Sequence, residues 1–156
     1  MSSLNFIIAL ILLLPITSLS QDAIKKNKDV VLHHLKKQYE SDNGKTVTYN
    51  VSDTSLKMTL NNPEQKQVIF SYLFNSSGKC KEEKVTTDCD SCINSYLNKI
   101  LSQKKYKWRK INENQYISSF SKALMIELPA DGNEYTFSLL QTTLSKKLYK
   151  LLLAKQ

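Results

Sequence analysis

Apolar residues recur along this chain with two different periods, and the switches between them mark the elements. From about Asp22 to Asp42, Ile24, Val31, Leu35 and Tyr39 fall at helical spacing, and Leu32 widens the stripe. Lysines occupy the other side, and Asn43-Gly44 supplies a helix stop. The period then drops to two. Val47, Tyr49 and Val51 alternate with polar residues, as do Leu56, Met58 and Leu60, with Ser52-Asp53-Thr54-Ser55 as the turn between them. A second turn at Asn61-Asn62-Pro63-Glu64 leads to Val68, Phe70, Tyr72 and Phe74, and that strand stops at Asn75-Ser76-Ser77-Gly78. The pattern predicts a three-stranded antiparallel meander.

A second helix is predicted where Cys89, Cys92, Ile93, Tyr96, Leu97, Ile100 and Leu101 keep one face. Thr87 followed by Asp90 resembles a capping box at its start. Strand-like pieces follow at 106–111, 116–120, 123–128 and 134–140, separated by Asn112-Glu113-Asn114 and Pro129-Ala130-Asp131-Gly132. Leu140, Leu144, Leu148, Leu151 and Leu152 form a last helical stripe flanked by Lys146, Lys147 and Lys150, expected to lie on the sheet. The predicted order is α-βββ-α-βββ(β)-α, an α+β fold in which two or three helices pack on an antiparallel sheet of about five to seven strands. The blocks at 56–73 and 124–140 echo one another, a similarity that any two meanders share.

The first residues change the picture by setting a compartment. Phe6 to Leu14 is an unbroken apolar run closed by Pro15, and Ser18 and Ser20 precede a cut before Gln21. This is the pattern of a secretory signal peptide over 1–20, and it is too short for a membrane span of roughly 20 apolar residues. Residues 21–156 are then expected to form a single secreted, extracellular domain.

The net charge of +8 comes almost wholly from lysine, since Arg109 is the only arginine. Planar, bidentate recognition of phosphate and guanine favours arginine, so no nucleic-acid partner is expected. Catalytic chemistry finds little material. His33 and His34 are adjacent on the first helix and point about 100° apart, so they cannot share a site. Three glycines cannot build a phosphate loop, and Gly-x-Ser-x-Gly does not occur. Glu82-Glu83 and Asp88-Asp90 read as a solvated connector and a helix cap. No catalytic residue, metal ligand or cofactor is assigned.

The three cysteines, Cys80, Cys89 and Cys92, are the sharpest candidates. In an oxidising compartment a disulfide is the default. Joining Cys80 to either helix cysteine would tie sheet to helix, at a gain of roughly 2–3 kcal/mol. One thiol is then left over, as a buried small hydrophobe or as an interchain bridge in a disulfide-linked homodimer. A redox Cys-Asp-Ser-Cys at a helix N-terminus is a third reading, without the surrounding βαβ pattern of a thioredoxin. Two sequons, Asn50-Val51-Ser52 and Asn75-Ser76-Ser77, offer N-glycosylation sites at Asn50 and Asn75, the latter in a turn.

Gly78-Lys79-Cys80 and Thr86-Thr87-Asp88-Cys89-Asp90-Ser91-Cys92, with a strand before and a helix after, resemble the ginkbilobin-type plant antifungal domain. That family is a secreted α+β domain built around C-x8-C-x2-C. The resemblance implies mannose binding and antifungal defence. It goes with a Cys80–Cys89 bond and not with a Cys89–Cys92 bond. Three further cysteines of the family have no counterpart here, and no family sugar-binding residue maps onto this chain. A helix followed by an antiparallel meander is also similar to cystatin-like proteins, although their Gln-x-Val-x-Gly loop is missing and Gln67-Val68-Ile69-Phe70-Ser71 does not replace it. The expectation is a secreted, N-glycosylated, non-enzymatic protein that binds an extracellular glycan or protein in defence or host interaction. The alternatives are a cystatin-like protease inhibitor and a basic protein that contacts membranes through its C-terminal helix.

Overall fold

The computed structural model describes residues 23–40, 46–62, 65–129 and 135–154. The signal-peptide reading over 1–20, the Asn43-Gly44 stop and part of the turns at 61–64 and 129–132 lie outside them. Three helices and eight strands follow in the order α1 (Lys28–Tyr39), β1 (Thr46–Val51), β2 (Ser55–Asn62), β3 (Gln65–Phe74), β4 (Cys80–Thr87), α2 (Asp90–Leu101), β5 (Arg109–Asn112), β6 (Gln115–Ile117), β7 (Leu124–Glu127), β8 (Thr136–Gln141) and α3 (Lys146–Ala154). A 3-10 turn, Lys104–Tyr106, closes the second helix. All eight strands form one antiparallel sheet in the order β1-β2-β3-β4-β8-β7-β6-β5. The α+β class stands, but the sheet is larger than the five to seven strands expected.

The difference is β4. Cys-Lys-Glu-Glu-Lys-Val-Thr-Thr carries no run of alternating apolar residues and reads as a connector. It is nevertheless a central strand, paired with β3 on one side and β8 on the other. Main-chain hydrogen bonds on both edges hold it in place whatever its side chains are. Gly78, with φ +71°, provides the left-handed residue that the β3–β4 turn requires, and its N–H donates to the Asn75 carbonyl. The echo between 56–73 and 124–140 sets β2-β3 beside β7-β8. The topological repeat, a helix followed by four strands, instead pairs β2-β3 with β6-β7, so the echo is one strand out of step.

The first helix starts later than its apolar stripe. Lys25 has φ +72°, and 25–27 pair with the start of β4 through Lys25 N–H to Cys80 O and Cys80 N–H to Lys26 O. Ile24 is buried ahead of the helix and not on it. Likewise the predicted strand at 106 starts at Arg109, because Tyr106 lies in the 3-10 turn and Lys107 is left-handed. At α2 the cap is Cys89 and not Thr87, which ends β4.

The core lies between one face of the sheet and helices α1 and α2. Leu56, Met58, Phe70, Tyr72, Val85, Ile126, Phe137 and Leu139 are all 0–1 % exposed. Phe70 is its centre: its ring is 6.2 Å from Tyr39 of α1 and meets Tyr96 of α2 edge-on at 5.7 Å. On the other side of α2, Trp108 stacks on Tyr106 and its Nε1 donates to the Ile100 carbonyl at 3.1 Å.

The third helix departs from expectation. None of its residues is buried, and Leu148 and Leu151 are 44 % and 51 % exposed. It is fastened through Tyr149, whose hydroxyl donates to the Ser118 carbonyl at 2.8 Å and whose ring meets Phe120. The predicted stripe is also split, because Leu140 lies on β8 and Leu144 precedes the helix, so only Leu148, Leu151 and Leu152 belong to α3.

Replacing Phe70 with Ala is expected to destabilise the fold by about 3–5 kcal/mol, since the ring contacts both helices and no neighbour fills its place. Urea unfolding monitored by circular dichroism measures it. A loss under 1 kcal/mol would show that α1 and α2 do not depend on this ring.

Candidate functional site

Antiparallel pairing with a side-chain period of two sends alternate residues to opposite faces, so register decides which side chains meet. On the face away from α1 and α2, the pairings Asn50↔Lys57, Lys57↔Ser71, Ser71↔Lys84 and Lys84↔Ser138 form half of a row. Ser138↔Glu127, Glu127↔Gln115 and Gln115↔Asn112 complete it. Each of the eight strands contributes one polar residue, and none of the eight is buried. The row lies across the strands, where neighbouring backbones are about 4.8 Å apart, so it spans roughly 34 Å.

The row is most elaborated at its β5–β6 end. Asn112 Nδ2 donates to Gln115 Oε1 at 2.8 Å, and Gln115 Nε2 donates to Glu127 Oε1 at 2.9 Å. Asn112 Oδ1 accepts from the Asn114 N–H, and Lys110 pairs with Glu113 at 2.9 Å. Asn112, Glu113, Asn114, Gln115, Glu127 and Leu128 line an open depression of about 510 Å³. The chain of amides and a carboxylate fixes side chains that would otherwise rotate freely, leaving remaining donors and acceptors directed at solvent.

Sequence reasoning passed over this cluster because Asn112-Glu113-Asn114 reads as a turn. Only the register brings Glu127 beside it. Asn50 and Asn75 are both exposed. Asn50 is the β1 end of the row, on an edge strand. Asn75 sits in the β3–β4 turn, where its Oδ1 accepts from Ser77 N–H, Ser77 Oγ and Lys79 N–H.

The cysteines are not arranged as expected. Cys89 and Cys92 are joined to each other, and Cys80 is free and buried. The reason is β4 itself. Cys80 opens that strand and Cys89 lies two residues past its end, and the strand alone spans roughly 23 Å at 3.3 Å per residue. A disulfide needs Cα atoms within about 7 Å. The observed bond closes a loop of two intervening residues, worth about 2 kcal/mol on the chain-entropy model. It is not the pairing that goes with the ginkbilobin-type resemblance. Burial pushes the Cys80 thiol up to about 12, with the Glu83 carboxyl adding to the effect, and its Sγ donates to the Glu82 carbonyl at 3.4 Å. His33 and His34 are both exposed, and among the described residues no three His, Cys, Asp or Glu side chains converge as a metal site.

Glu83 overturns the solvated-connector reading. It is fully buried, paired in register with Tyr72 of β3 and Leu139 of β8. Neither carboxyl oxygen has a hydrogen-bond partner of good geometry, and neither has the buried Tyr72 hydroxyl. Burial therefore pushes its pKa up to about 8 against the smaller opposing effect of Tyr72. Tyr72 is raised in turn by its own burial and by Glu83, Tyr39 and Cys80. Nothing in Lys81-Glu82-Glu83-Lys84 distinguishes Glu83 from the charged residues beside it, none of which is buried. Strand alternation with Val85 and Thr87 turns it inward, and the β-bulge at Leu73/Phe74 then brings Cys80 and not Lys81 opposite Phe74.

Comparison with protein-family models, with curated proteins and with solved structures finds no match to the chain.

Because the folded state holds Glu83 protonated up to about pH 8 while the unfolded chain releases that proton near 4.5, the contribution of Glu83 to folding stability is greatest below the unfolded value. It declines as pH rises towards 8, by an amount on the order of a few kcal/mol. Glu83→Gln is expected to flatten that slope between pH 5 and 9 in urea unfolding (roughly the window between the two pKa values). An unchanged slope would show that Glu83 is solvated in the folded protein.

Proposed function

We propose that this is a secreted, N-glycosylated binding protein that recognises an extracellular glycan, in defence or host interaction, through the outer face of its sheet. The observation that carries this reading is the polar row from Asn50 to Asn112 and its amide-rich end. Saccharides present closely spaced hydroxyls that both donate and accept. Side-chain amides and carboxylates held in place satisfy them with little loss of conformational freedom. Gln115, Glu127 and Asn112 are already ordered by one another. Glycans on Asn50 and Asn75 would stand at the β1 end of this face and in the β3–β4 turn, away from the depression at β5–β6.

Two other readings have an observation behind them. Each half of the chain is a helix followed by a four-stranded meander, which suits the cystatin-like inhibitor. The half-exposed Leu148 and Leu151 beside Lys146, Lys147 and Lys150 suit contact with an anionic membrane surface. Among the described residues no helix is long and apolar enough to cross a membrane.

A glycan array probed with the secreted protein tests the first reading. Binding is expected, and Gln115→Ala or Glu127→Ala is expected to weaken it about tenfold, the value of one hydrogen bond to a charged or well-ordered group. A folded protein that binds no glycan would overturn it and direct the search to a protein partner, with papain inhibition and liposome leakage as the parallel assays. Deglycosylation by peptide N-glycosidase is expected to lower the mass of the secreted chain, with Asn75→Gln removing one step.

A further inference from the structure

We propose that the Cys89–Cys92 disulfide is a thiol–disulfide exchange site acting on external dithiols and disulfides, with Cys89 the sulfur attacked and Cys92 the sulfur that leaves. A cross-link stabilises a fold more the longer the loop it closes. This one encloses only Asp90 and Ser91 and ties the α2 cap to its own first turn. Both sulfurs belong to half-buried residues, while Asp88, Asp90 and Ser91 around them are exposed, so a thiolate can approach from solvent. Cys89 caps α2, and its Sγ accepts from the Cys92 N–H at 3.2 Å with the Ser91 hydroxyl at 3.3 Å. Those donors and the positive end of the helix stabilise negative charge on Cys89 during exchange. The third cysteine does not compete, because Cys80 is enclosed in the core.

The step balances as follows. One thiolate of an external dithiol attacks Cys89 Sγ, the Cys89–Cys92 bond breaks, and its electron pair leaves on Cys92, which takes a proton from solvent. The second thiolate of the dithiol then attacks its own sulfur in the mixed disulfide. Cys89 departs as the thiolate, and the external disulfide is released. Two electrons have passed from the dithiol to the protein, and the reverse sequence reduces an external disulfide. Asp90, exposed within the Cys89–Cys92 loop, places negative charge beside the approach, so an uncharged or cationic thiol is preferred to an anionic one.

The test uses the full secreted chain under native conditions. Dithiothreitol, an uncharged dithiol, is added, free thiols are alkylated, and the labelled peptides are identified by mass. Cys89 and Cys92 are expected to become labelled while Cys80 stays unlabelled and the circular dichroism is retained. Reduced glutathione, which is anionic, is expected to open the bond more slowly at equal thiolate concentration. With insulin as the probe disulfide, the protein is expected to accelerate reduction by dithiothreitol several-fold. Cys92→Ser is expected to trap a mixed disulfide with insulin through Cys89, and Cys80→Ala to keep the acceleration. If the bond opens only in denaturant, or insulin reduction runs at the rate of dithiothreitol alone, the assignment is overturned. The native-state labelling decides the matter even where a variant fails to fold.

Discussion

The pairing of β4 with β8 is the contact on which the rest of this structure depends. Without it the chain is two separate helix-plus-meander units, each with an open sheet edge. With it, Glu82 to Thr86 align against Leu140 to Thr136, and eight strands become one sheet in which β4 is central. Antiparallel main-chain bonds are indifferent to side-chain polarity, which is why so polar a strand can occupy the middle. The sheet's helical face then has apolar partners from both halves, Phe70 and Tyr72 from one and Phe137 and Leu139 from the other.

Two properties follow from that one seam. On the helical face, Glu83 is carried into a core that offers it no cation and no good hydrogen bond. Burying a charge without a partner is costly, so the side chain keeps its proton and the cost becomes a dependence of stability on pH. On the outer face, the same register aligns polar residues from every strand. Neither result is visible within one hairpin, because each requires strands from both sides of the seam.

The seam also explains the cysteines. A full-length central strand between Cys80 and Cys89 separates sulfurs that lie only nine positions apart in sequence. Cys80 is left as a small buried apolar group with its thiol strongly disfavoured from ionising. Cys89 and Cys92 remain together because a helix begins there, one capping residue and one residue of the first turn. The same local geometry that brings them into bonding range places them at the solvent-facing end of α2.

What the sequence by itself determined was the local periodicity. Strands β1 to β3 and helix α2 were legible because their apolar faces repeat cleanly, as in Val68, Phe70, Tyr72 and Phe74, all but the last of whose partners also belong to patterned segments. Turn chemistry at Asn75 to Gly78 was equally legible, since a left-handed residue there requires glycine. The tertiary structure alone decided that β4 is a strand, that Glu83 is inside, that Ile117 is buried on the outer face while Leu151 is not, and that Gln115 meets Glu127. Each of these is a relation between segments far apart in the chain. Periodicity reports which side chains share a face of one element, but burial and partnership depend on what packs against that face, and that is set only when the two meanders join.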